Sequence, residues 1–114
     1  MRKLFLSVGL ALVSTAAMAQ GAPQGDAKAG LATFQKYGCY TCHGILGQGT
    51  LRDGPHIQAE AIGFQAVLAQ LRHPRYEMPA YTEKVISDQS VADIFAYLVS
   101  VPKAPDPKTI KELQ

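Results

Sequence analysis

Cys39-Tyr40-Thr41-Cys42-His43 is the stretch on which the reading of this 114-residue chain turns. On a helix, positions i and i+3 share a face and i+4 continues it, so both thiols and the imidazole would project to one side. Two thiols so spaced can add to the two vinyl groups of one haem, and the adjoining imidazole can reach the iron beneath it. The spacing therefore reads as covalent c-type haem attachment. The same residues admit two other readings: a redox-active or disulfide-forming Cys-x-x-Cys beside an incidental His, and a partial zinc site. The first wants a strand–helix–strand context and the second wants more ligands, yet the chain holds only these two cysteines.

N-terminal to the motif, Asp26 can cap a helix running to about Tyr37, with Ala27, Gly30, Leu31 and Phe34 on one face. Gly30 costs such a helix about 1 kcal/mol relative to Ala, so close packing against another helix is the reason to expect it there. Residues 20–25 are Gly, Ala, Pro and Gln, a flexible lead-in expected to fray. Before them stands an export leader: Arg2 and Lys3, an apolar run over residues 4–13, and the small-x-small site Ala17-Met18-Ala19. Cleavage after Ala19 is expected. An uncleaved membrane anchor is the alternative, but the apolar stretch is nearer ten residues than the roughly twenty a span requires, so no stable membrane span remains.

Cleavage leaves residues 20–114, about 95 residues, enough for one domain that buries on the order of 60–65% of its surface. Folds of that size usually need a disulfide, a metal or a prosthetic group. Of the 11 basic residues, Arg2 and Lys3 leave with the leader, so the remaining nine balance the 9 acidic ones. No basic stripe is left to follow a phosphate backbone, which excludes nucleic acid as a partner.

C-terminal to the motif, Gly44, Gly47, Gly49 and Gly54 mark a loop that ends in Asp53-Gly54-Pro55. Periodicity returns at Phe64, Val67, Leu68 and Leu71 and stops at His73-Pro74. A Pro-containing turn covers residues 74–84. Ser87 then caps a last helix whose apolar face is Val91, Ile94, Phe95, Leu98 and Val101, closed by Pro102. The tail, 102–114, is Pro-rich and starts extended, with residues 108–113 able to form a short helical turn. No stretch alternates with period two, so the fold is expected to be all-α with long loops.

An iron held by His43 needs a sixth ligand or an open position. With Met1 and Met18 gone, Met78 is the one methionine left, 35 residues past His43 in Tyr76-Glu77-Met78-Pro79. A lone Met is usually a core residue, but one between Glu77 and Pro79 in a loop is poorly placed for packing, and a soft sulfur ligand suits an electron carrier. Met78 is therefore assigned as the second axial ligand, with His56 and His73 as rivals. His43 also needs an acceptor for its other ring nitrogen. The carbonyl of Pro55 is the candidate, against the plainer reading of Pro55 as a turn residue. Arg52, Arg72, Arg75, Tyr76 and Tyr81 flank these loops as candidates for binding haem propionates; none can be chosen from sequence, and most are expected to be ordinary surface residues.

With these residues assembled, the chain resembles the class I c-type cytochromes over residues 26–101. The resemblance rests on Gly30, Phe34, Cys39-Tyr40-Thr41-Cys42-His43, Gly54-Pro55, Met78-Pro79, and Ser87-Asp88 through Ala96-Tyr97-Leu98. It implies a small cytochrome c fold in which the N- and C-terminal helices cross, Gly30 allowing contact with the helix that carries Phe95 and Tyr97. It also implies long loops around one covalent haem c that is buried except for one edge. Such proteins pass single electrons between periplasmic redox partners by outer-sphere transfer. The Gly-rich stretch, the helix over 64–71 and the Pro-rich end are similar to cytochrome subunits or partners of periplasmic dehydrogenases. The alternatives are a peroxidase-like haem enzyme, which needs an open sixth position and acid–base groups above it, and a gas-binding haem module in which Met78 is displaced.

Overall fold

The computed structural model describes residues 23–58 and 63–114; the leader over 1–19 and its cleavage site lie outside the described residues. Helix α1 (Ala27–Lys36) starts where the Asp26 carboxylate accepts a hydrogen bond from the Ala29 N–H at 2.8 Å. It gives way at Tyr37, and Gly38, in the left-handed region at φ 70°, turns the chain into the short helix α2 (Cys39–His43). Helix α3 (Phe64–Arg72) ends at His73, before a proline that disfavours helix in the preceding residue. Helix α4 (Asp88–Ser100) is capped by the Ser87 hydroxyl, which accepts from the Ser90 N–H at 3.1 Å. The tail carries two single turns of 3₁₀ helix, Pro107–Thr109 and Lys111–Leu113. Among the described residues there is no strand, and no helix is long and apolar enough to cross a membrane.

The all-α architecture turns on the crossing of α1 over α4. Gly30 is buried, and a Cβ there would collide with the Asp93 carbonyl, so the two backbones meet with no side chain between them. Around the crossing, the Phe34 and Tyr97 rings meet at 5.5 Å, and α3 delivers Phe64 edge-on to Phe95 at 6.0 Å. The core comprises Phe34, Phe64, Leu71, Ile86, Val91, Ala92, Ile94, Tyr97 and Leu98. Each large side chain buried there contributes about 1.5–3 kcal/mol.

The end of the lead-in is held down. The Gln24 carbonyl accepts from the Gln89 amide at 2.9 Å, and the Asp26 N–H donates to the Asp93 carboxylate at 2.9 Å. Composition alone marks residues 20–25 as loose, because the groups that anchor Gln24 and Asp26 stand more than sixty positions away on α4.

Candidate functional site

Helix α2 turns its two sides to different surroundings. Tyr40 and Thr41 are exposed, whereas Cys39, Cys42 and His43 are half-buried and Cys39 packs against the core. Both cysteines are unpaired thiols. Burial pushes the Cys39 thiol up from its ordinary pKa, outweighing a backbone hydrogen bond that lowers it, and the neighbouring Cys42 adds to the rise. Among the described residues no group of three or more His, Cys, Asp or Glu side chains could hold a metal ion, so the zinc reading finds no ligand set there.

His43 Nδ1 lies 2.9 Å from the Pro55 carbonyl oxygen. A carbonyl only accepts, so in this contact Nδ1 carries the proton, which leaves Nε2 with the lone pair that could bind a metal. The loop between them is built to return: the Gly49 N–H donates to the His43 carbonyl at 2.7 Å, and the Ile57 N–H to the Gly47 carbonyl at 2.8 Å. Gly54 permits the last approach, since a Cβ there would stand 2.6 Å from the Cys42 carbonyl oxygen and 3.1 Å from His43 Nδ1.

Met78 is half-buried and packs against the same core as Cys39. Its turn is pinned at several points. The Tyr81 N–H donates to the Leu71 carbonyl at 2.8 Å, Arg72 Nη1 donates to the Tyr81 carbonyl at 2.8 Å, and Arg72 Nη2 pairs with the Asp88 carboxylate. Two tyrosines join this turn to the approach to α2. The Tyr81 hydroxyl donates to the Tyr37 carbonyl at 3.4 Å, the Tyr37 hydroxyl donates to the Val85 carbonyl at 2.7 Å, and the rings meet edge-on at 6.2 Å. The Tyr81 phenol is raised, first by burial and then by the neighbouring Cys39 and Cys42. The Met78 turn and the cysteine motif thus share one side of the molecule.

His56 and His73 are exposed, as are Arg52, Arg75 and Tyr76. Arg72 donates to the Tyr81 carbonyl and pairs with Asp88. Tyr76 adopts φ 60°, which is unfavourable for a residue with a Cβ. It lines an open cavity of about 360 Å³ with Thr50, Leu51, Arg52, Asp53, Gly54 and Pro55, between the Pro55 loop and the Met78 turn.

Three contacts around the site escaped the sequence reading. Gln70 Nε2 donates to Met78 Sδ at 3.6 Å, Asp88 pairs with Arg72, and the Tyr97 hydroxyl donates to the Ile45 carbonyl at 2.9 Å, holding the chain just past the motif against α4. Gln70 carried one faint signal, a polar residue next to the apolar position Leu71.

The donor set fits a covalently attached haem c: two thiols and an imidazole on one half-buried helix face, an imidazole with Nδ1 already engaged, and a soft thioether on a pinned turn. Comparison with known families agrees. The family model described as "Cytochrome C oxidase, cbb3-type, subunit III" matches residues 25–98. No curated protein matches the chain.

Proposed function

The chain belongs to the class I c-type cytochromes, and from that membership we propose that it is a periplasmic carrier of single electrons, with one haem c on Cys39 and Cys42 and with His43 and Met78 as axial iron ligands. The hydrogen bond between His43 Nδ1 and the Pro55 carbonyl, 2.9 Å long, is the observation that carries this reading. It fixes the tautomer and ring plane that a coordinating imidazole needs, and a merely incidental His beside two thiols would not require it.

Bound there, haem c supplies a one-electron Fe(II)/Fe(III) couple. Everything else falls to the chain. Cys39 and Cys42 would hold the group through two thioether bonds, so it could not leave between electron transfers. His43 is oriented by Pro55. Met78 presents a soft sulfur that favours the reduced state and raises the potential, and the turn that carries it is fastened to α3 and α4. Exposed Ile45 and Leu46, directly after the motif, supply apolar surface suited to brief docking of redox partners. A periplasmic dehydrogenase is the proposed donor, and the leader over 1–19 supports export. A peroxidase needs an open sixth position, which Met78 would fill, and a gas-binding module needs a Met78 that leaves the iron when a small ligand arrives.

The test is the optical spectrum of the purified holoprotein, oxidised and ascorbate-reduced, before and after carbon monoxide. A haem-c spectrum unmoved by carbon monoxide, with a weak near-infrared sulfur–iron band when oxidised, is expected. Met78→Ala should keep the haem, lose that band, bind carbon monoxide and lower the potential. An unchanged potential would remove Met78 from the ligand set.

A further inference from the structure

Gln70 lies on α3 between Ala69 and the buried Leu71, and its side chain is half-buried although amides usually seek water. It spends that burial on one contact, Nε2 donating to Met78 Sδ at 3.6 Å. A thioether sulfur has no proton to give and accepts weakly through two lone pairs. An amide donor can hold one lone pair and leave the other for a metal. The backbone on both sides is fixed as well: the Leu71 carbonyl accepts from the Tyr81 N–H, and Arg72 reaches the Tyr81 carbonyl. Donor and acceptor are therefore presented by two segments locked to each other.

The geometry points to Gln70 as the positioning residue for Met78: its amide selects which sulfur lone pair faces the iron and draws electron density from the sulfur. The inference rests on the reading of Met78 as an axial ligand. A sulfur that accepts a hydrogen bond from an N–H gives less electron density to the iron, and the oxidised iron depends on that density more than the reduced iron does. Gln70 thus shifts the couple toward the reduced state, and by holding the sulfur in place it slows the exchange of Met78 for an outside ligand.

The experiment compares holoprotein of the full chain with Gln70→Leu, which keeps bulk and removes the donor, and Gln70→Asn, which keeps the amide but falls a methylene short of the sulfur. Both should retain the near-infrared sulfur–iron band. Both should lower the reduction equilibrium constant about threefold, roughly 28 mV at 59 mV per tenfold for one electron, and imidazole should displace Met78 faster in both. Wild-type potentials in variants that keep the band would overturn the role of Gln70 and leave Met78 a ligand, even if their melting temperatures fell. Wild-type protein that lacks the band and binds carbon monoxide readily would overturn the Met78 assignment and Gln70 with it. Should Gln70→Leu fail to fold, Gln70→Asn decides alone, because it introduces no apolar surface.

Discussion

At the scale of single residues, Gly54 governs how the loop comes back to His43. It has no room for a side chain, with a Cβ standing 2.6 Å from the Cys42 carbonyl oxygen and 2.8 Å from its carbon. Both are backbone atoms of the short helix that carries the motif, so neither yields cheaply. Gly54→Ala should therefore cost about 1–3 kcal/mol, read as a lower denaturation midpoint; an unchanged midpoint would mean the loop has slack. The motif Cys39 to His43, Met78 and Pro55 were legible as candidates because their chemistry is carried by residue type and spacing. Gln70 was not, since a Gln on a helix reads as solvated until the sulfur is seen 3.6 Å away. The pairing of Arg72 with Asp88 was hidden for a related reason: an arginine near a haem pattern looks like an anion binder, and only the fold brings the start of α4 to the end of α3.

Among the elements, the crossing of α1 and α4 offers a test whose sign is informative. In an isolated helix Gly30→Ala would stabilise by about 1 kcal/mol. Against α4 the added methyl meets the Asp93 carbonyl, so destabilisation by about 2–4 kcal/mol is expected from denaturant unfolding; a gain in stability would mean the helices can separate freely. Apolar spacing located α1, α3 and α4 because each has a single buried face, and the mid-helix glycine hinted at which pair crosses. What spacing could not supply was the stitching between α4 and the loops. The Tyr97 hydroxyl, bonded to the Ile45 carbonyl at 2.9 Å, is such a stitch, and burial raises its phenol above the ordinary pKa. Tyr97→Phe should cost about 1 kcal/mol at neutral pH. The stabilisation from the raised phenol is fully present below about pH 10, the unfolded value, and is lost as pH climbs through the folded one. The melting-temperature gap between wild type and Tyr97→Phe should accordingly narrow above pH 10, and a gap that widens there would contradict the assigned sign.

For the whole molecule, the described core contains nine apolar side chains and no buried polar one, little for a fold with such long loops. The prosthetic group is expected to complete it, by linkage between binding and folding. Exported Cys39→Ala or Cys42→Ala should fail to accumulate as stable holoprotein, and normal amounts of folded, haem-free chain by absorbance and circular dichroism would refute that dependence. The segment from Arg72 to Asp88 bears on how so small a body competes for its own metal. Its ends are joined by an ion pair sixteen positions apart, with the Tyr81 backbone fastened inside the ring to α3. A thioether in free solution is a poor competitor for iron. As the proposed ligand, the Met78 sulfur carried on this closed ring would have a high effective concentration at one point, since most of the entropy of bringing it there was already lost when the chain folded. A small ligand arriving from solvent would have to outbid proximity rather than bond strength, and loosening Arg72 from Asp88 would weaken the sulfur's hold without touching the sulfur.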